Sequence, residues 1–256
     1  MKIQSVERAV HILNALSRSM ESGLALGQIS KEVGINASTT HHLLGTLMQE
    51  QIVEQDPVTK TYRLGIHLIE LGNAALSSTS LARIARPYLE RLWVETGKSI
   101  SLLLFHGLMR SCILNSTTRE ILSVRPALLE TDTLHATGSG KLALAYLPEK
   151  ELENFLRQAK LTRFTQTTIT SPEKLQTHLE RVRQQGYALD SEEHGEGVSC
   201  IATPIRDASR RVVGCFDLVF PLFNVSEEKM QEWVRASLDC ARDLEQKMLS
   251  IGLTVQ

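Results

Sequence analysis

Aromatic residues are scarce in this chain, at 5% of the total, and its four cysteines include no C-x-x-C pair. Cys112, Cys200, Cys215 and Cys240 therefore lack the spacing of a zinc site or a redox motif and are expected to be reduced thiols. Charge of one sign is also missing. The 28 Lys and Arg stand against 29 Asp and Glu, a formal net charge of −1, so no global basic field points to nucleic acid. Long hydrophobic runs are absent too. The longest uncharged apolar stretch, 100–109, is broken by Ser101, His106 and Gly107, far short of the ~20 residues a membrane span needs. Residues 1–8 contain no apolar core of signal-peptide length. The expectation is a cytoplasmic protein without a membrane partner.

What remains is an ordinary globular composition over 256 residues, 42% hydrophobic and 22% charged, with room for two domains. Val6, Ala9, Val10, Leu13 and Leu16 recur at helical spacing over 5–17. Leu26, Ile29 and Val33 mark a short second helix closed by Gly34. Asn36 or Ser38 can cap a third, running to about 51 with an apolar stripe of Leu43, Leu44, Leu47 and Met48. Residues 52–54 and 61–64 read as strands around the turn signal Asp56-Pro57. Three helices and a hairpin within ~65 residues is the element order of a winged helix-turn-helix.

A helix at 67–77 leads into Ser77-Ser78-Thr79-Ser80, the most linker-like run in the chain. The expected division is a DNA-binding domain at 1–66, a linker helix at 67–80, and a second domain at 81–256. In that second domain, helices at 81–97, 140–146, 149–158, 172–185 and 226–250 mix with strands at 99–105, 109–115, 187–189, 198–205 and 212–220. Without strict βαβ alternation, this favours an α+β domain with an antiparallel sheet.

The third helix offers Ser38, Thr39, Thr40, His41, His42 and Thr46 to DNA, with Gln49 also on its polar face and no carboxylate over 38–49 to repel phosphate. Lys60, Tyr62 and Arg63 on the hairpin suit phosphate or minor-groove contact, and Arg8 and Lys31 add backbone contacts. A solvated polar face on a domain used for protein contact is the alternative.

At these residues a resemblance becomes specific. Ser5-Val6-Glu7-Arg8-Ala9, the run from Ser38 to Leu47 through Thr40, and Tyr62-Arg63-Leu64-Gly65 resemble the N-terminal signatures of IclR-family transcriptional regulators. The likeness extends from about 3 to 252. It implies a winged helix-turn-helix, a linker helix, and a GAF-like α/β effector-binding domain. It also implies dimers or tetramers on a pseudo-palindromic operator in double-stranded DNA, and no cofactor. Two departures stand out. Ala37 and His42 replace a Lys and an Arg common in the family, which implies a different base preference. Ala25 stands where a Ser or Thr usually caps the second helix.

In the second domain the resemblance assigns one wall of the effector pocket to Thr137-Gly138-Ser139, and an opposing wall to Asp190, Val198 and Cys200. Ile121 and Val124 match its apolar wall. Cys215, Asp217 and Val219 alternate onto one strand face. Family members that bind small carboxylates carry two serines at the places of Asp217 and Val219. A buried Asp217 needs a partner, either a ligand hydroxyl or amine or a protein cation. The expected effector is an organic acid or sugar-derived compound unlike glyoxylate or pyruvate. Two other chemistries compete: a Cys200 nucleophile with His194 and Asp190, and zinc held by Glu193, His194 and Cys200. Neither has the spacing of a strong motif. Glu192-Glu193-His194 otherwise reads as a solvated acidic turn.

Overall fold

The computed structural model describes residues 2–19, 23–78, 80–117 and 131–255. The chain divides into two compact units, Met1–Thr79 and Ser80–Gln256.

In the first unit, α1 (Gln4–Arg18), α2 (Leu26–Val33) and α3 (Ala37–Gln49) precede the hairpin β1 (Val53–Gln55) and β2 (Tyr62–Leu64), then α4 (His67–Ser78). Gly34 ends α2 in the left-handed region (φ 71°), a conformation glycine adopts without a Cβ clash. Asn36 then caps α3, its Oδ1 accepting from the Thr39 N–H at 2.8 Å. At Ala25 no side chain caps α2; instead the Gln28 side chain accepts from the Ala25 N–H at 2.8 Å. Ile12, Leu16, Ile29, Leu44, Val53 and Tyr62 form the core.

One detail of α3 departs from expectation. Thr40 is fully buried, whereas Met48 is 38% exposed. The Thr40 hydroxyl donates to the Asn36 carbonyl at 3.0 Å, which lets a polar side chain occupy an interior position. Gly65 leaves no room for a side chain: a Cβ there would lie 2.1 Å from the Gln51 carbonyl oxygen. Replacing Asn36 by Ala should cost about 1 kcal/mol of stability. Denaturation of the full chain, followed by far-UV circular dichroism, measures this; an unchanged midpoint would remove the cap from the account.

The second unit contains α5 (Ser80–Thr96), β3 (Ser99–His106), β4 (Met109–Ser116), a 3₁₀ turn (Thr131–Thr133), α6 (Gly138–Ala145), α7 (Glu149–Gln158), α8 (Pro172–Gln185), β5 (Ala188–Ser191), β6 (Val198–Arg206), β7 (Val212–Pro221) and α9 (Glu227–Ser250). The sheet runs β4-β3-β7-β6-β5, and every pairing is antiparallel. On one face Phe216, Leu218 and Phe220 meet Leu89 and Leu92 of α5 and Trp233 and Leu244 of α9. On the other, Leu103, Ala202 and Cys215 pack with Leu142 of α6, Leu152 of α7 and Leu175 and Leu179 of α8. Alternation along β7 therefore puts Cys215, Asp217 and Val219 on the α6 side.

Candidate functional site

In the first unit, α3 leaves Ser38, His41, His42 and Thr46 exposed, with Thr39 half-buried. No carboxylate lies on this helix. Two residues expected to touch DNA are inside instead. Thr40 is buried under α3 as described, and Tyr62 is 5% exposed in the core, because the strand pairing that orients Arg63 outward turns its neighbour inward. Arg63 is itself exposed and 3.2 Å from Glu54, a surface ion pair. Lys31 and Lys60 are exposed, Arg8 half-buried, and none of the three has an ion pair among the described residues.

In the second unit, Thr137, Gly138 and Ser139 open α6 directly over the sheet. A Cβ on Gly138 would lie 2.9 Å from Cys200 Sγ, so the helix start and β6 approach to a distance only glycine permits. Strand register aligns Asp190 with Cys200, Cys200 with Val219, and Ala202 with Asp217. Asp190, Val198, Cys200, Asp217 and Val219 thus share the face that α6 covers. Ile121 and Val124 lie outside the described residues.

Asp217 is 3% exposed and accepts from the Cys200 thiol at 2.7 Å. Burial pushes its carboxyl above the ordinary value, while the Cys200 thiol, the Arg110 guanidinium and the Ser139 hydroxyl favour the charged form. The same environment pushes the Cys200 thiol well up, through burial and then the Asp217 charge. A thiol held protonated in this way is a poor nucleophile.

Sequence reasoning missed Arg110. This β4 residue is 2% exposed, and its guanidinium donates to Thr137 Oγ1 at 2.7 Å, Ser139 Oγ at 3.2 Å and Thr133 Oγ1 at 3.2 Å. A single Arg three residues after the turn glycine Gly107 reads as a solvent-facing strand residue, and no local signal says otherwise.

The acidic turn after β5 is not solvated as expected. Glu193 is buried, and its carboxylate pairs with the ammonium of Lys141, whose side chain is fully buried on α6. Lys141 also donates to the Leu189 carbonyl at 2.5 Å. The Glu193 N–H donates to Asp190 Oδ1 at 2.8 Å. Burial pushes Asp190 up to about 7, against the opposing influence of Lys141 and the Glu193 N–H. Thr168 holds the turn from the other side, its hydroxyl donating to the Glu193 carbonyl at 2.7 Å. Glu193 is therefore engaged with Lys141 and Cys200 with Asp217, while the His194 ring lies tilted against Phe164 with ring centroids 5.2 Å apart. Among the described residues no group of three or more His, Cys, Asp or Glu is placed to hold a metal ion. A cleft of about 630 Å³ between α7 and the 132–135 segment is lined by His135, Phe155 and Lys160, and by none of the sequence-expected site residues.

Comparison with known proteins follows the same two-part division. Residues 5–57 match the IclR helix-turn-helix domain, and residues 73–246 match the bacterial transcriptional regulator IclR C-terminal domain. The HTH-type transcriptional regulator XynR of Escherichia coli (strain K12) is 36% identical over 217 residues, 84% of this chain and 85% of the relative. The HTH-type transcriptional regulator BhcR of Paracoccus denitrificans is 32% identical over 242 residues, 94% of this chain and 86% of the relative. Among solved structures, the Thermotoga maritima IclR matches with a TM-score of 0.68 at 26% identity, covering 96% of this chain and 97% of that one.

Proposed function

Because the chain belongs to the IclR family of bacterial transcriptional regulators, we propose that it controls a catabolic or metabolic operon by binding a pseudo-palindromic operator and a small organic effector. It is a DNA-binding regulator with a C-terminal effector domain, and not an enzyme. No helix among the described residues is long and apolar enough to cross a membrane, in keeping with work in the cytoplasm.

In this reading Ser38, Thr39, His41 and His42 face base edges in the major groove, and Lys31, Lys60 and Arg8 hold phosphates. The effector, an organic acid or sugar-derived compound, sits between the 137–139 segment, Cys200 and Asp217. The observation that carries this is the gathering of Arg110, Ser139, Cys200 and Asp217, all buried, at one end of α6. Self-association as a dimer or tetramer is supported by α1, where Val6 and Val10 are 58% and 47% exposed one turn apart, with Ile3 at 59% before them. Binding would shift the balance between DNA-competent and DNA-incompetent arrangements by the effector's differential affinity for them.

The test is a footprint on the DNA upstream of the protein's own gene, with compounds that raise its thermal midpoint then added. Two protected half-sites, and a change of about 5–150-fold in operator affinity with an effector, are expected. No protection at any site would end the proposal. Salt dependence gives a second check. With Arg63 paired to Glu54 and Arg18 to Glu32, few cations are left for phosphate. Log affinity should fall with log salt by a slope of about −3 per domain, from roughly three contacts. A slope near −10 per domain would show that the phosphate contacts are far more numerous.

A further inference from the structure

Along α7 the residues Glu151, Asn154, Phe155 and Gln158 recur at i, i+3, i+4 and i+7, which brings them onto one side of the helix. That side faces the cleft of about 630 Å³, a volume within the range of small-molecule sites. Leu108, Asp132 and His135 line it from across, and Lys160 and Thr162 line it where the chain leaves the helix. These walls are fastened to each other and to the fold. His135 is 1% exposed, and its Nε2 lies 2.8 Å from the Thr162 carbonyl. A carbonyl only accepts, so the ring nitrogen donates there. Two residues before His135, the Thr133 hydroxyl accepts from Arg110 at 3.2 Å.

The charges around the cleft are not used by the protein. Among the described residues, the exposed side chains of Asp132, Glu151 and Lys160 make no hydrogen bond and no ion pair. His135, pushed down by burial, adds no charge near neutral pH. The set is therefore two carboxylates and one ammonium, and it is unevenly spread. Glu151 stands in the first turn of α7, about 10 Å of helix rise before Gln158. Lys160 lies beyond that far end. Asp132 belongs to the segment that His135 fastens to Thr162, two residues from Lys160. A lone carboxylate thus marks one end and two opposite charges the other, with the half-buried Phe155 between them along the helix.

We infer that this cleft is a second small-molecule site, apart from Cys200 and Asp217, and that it takes a basic α-amino acid of the lysine, ornithine or arginine kind. Such a molecule carries two positive charges and one negative, the inverse of the set around the cleft. Its α-carboxylate meets Lys160 and its α-ammonium meets Asp132, two groups on one carbon matched to two at one end. The side-chain cation, several bonds away, meets Glu151. The methylenes between them lie along Phe155 as a lysine stem lies on apolar surface. A simple anion is disfavoured by the net negative charge, and a neutral sugar gains nothing from the three ions.

The experiment is calorimetric titration of the full-length protein with lysine, ornithine and arginine. Each is set against a counterpart without the side-chain cation (norleucine or norvaline) and one without the carboxylate (1,5-diaminopentane, 1,4-diaminobutane or agmatine). At least one basic amino acid should bind, about tenfold or more tightly than both of its counterparts. Glu151→Gln should reduce the preference over the uncharged side chain to below about threefold, and Lys160→Gln should do the same to the preference over the amine. Both residues are exposed, so the thermal midpoint of each unliganded variant should match that of the wild type. Silence from all three amino acids, a counterpart that binds as tightly, or preferences that survive both substitutions would overturn the inference. Operator footprinting in the same samples reports separately on the regulator reading, which the cleft neither needs nor tests.

Discussion

Lys141→Met is expected to lower the stability of the C-terminal unit by about 3–5 kcal/mol. The Lys141 side chain is wholly buried and 8% of the Glu193 side chain is exposed, so water cannot replace either partner. Taking away the ammonium leaves a carboxylate in an apolar interior and frees the Leu189 carbonyl, which Lys141 reaches at 2.5 Å. The chain has two tryptophans, Trp93 and Trp233, and both belong to the core between the sheet, α5 and α9. Denaturant titration followed by their fluorescence therefore reports on this unit alone. Adding Glu193→Leu to Lys141→Met should return most of the loss, since exchanging a whole buried pair for apolar side chains is often close to neutral. A single variant that loses less than ~1 kcal/mol would show that the pair is not buried in solution. The consequence extends beyond stability, because Lys141 joins α6 to the end of β5 and so ties together the two elements that bear Ser139 and Asp190.

A second large effect is expected in the pH dependence of stability. Asp190 titrates at about 7 in the folded chain against an ordinary value of 3.8, with burial as the main cause. Between those values the folded protein holds a proton that the unfolded chain has released. Folding is then accompanied by proton uptake, and stability falls as pH rises from about 4 to about 7. Over that window the contribution of this one group is about 4 kcal/mol. Glu193 and Asp217, also raised by burial, add to the same trend. Asp190→Asn should remove the Asp190 share, leaving a visibly flatter profile of unfolding free energy between pH 4 and 7.5. A variant that keeps the full wild-type slope would assign the dependence to other groups.

Much of this fold was legible before any coordinates. Helix caps announce themselves locally. Gly34 and Asn36 act at the boundaries where their residue types are preferred, since a left-handed turn and a free N–H on the first turn are problems solved within a few residues. Strand faces are equally local: period two alone places Cys215, Asp217 and Val219 together. Helix interiors are less so. The spacing of 40, 43, 44, 47 and 48 is compatible with more than one buried stripe, and composition chose Met48 over Thr40. The packing of α3 chose the reverse, because Thr40 satisfies its own hydroxyl on Asn36 and Met48 lies in the last turn, where it is 38% exposed. Tyr62 was misplaced for a similar reason. A three-residue strand has no alternation long enough to fix which neighbour points inward.

The near-zero net charge also takes on a different meaning. The first 75 residues hold six Lys and Arg against seven Asp and Glu, so composition alone argues against DNA. Some of that acidity is offset locally, Glu54 by Arg63 and Glu32 by Arg18, while α3 carries no acid at all. The sequence by itself determined the order of the elements, the Gly34 and Asn36 caps, the faces of the long strands and the family, because each follows from backbone repeats and short motifs. Only the tertiary structure decided which charges are neutralised inside. Lys141 meets Glu193 across 52 residues, and Arg110 meets Ser139 across 29. A buried ion takes its partner from whichever strand or helix lies beside it, and that adjacency exists only once the sheet has assembled.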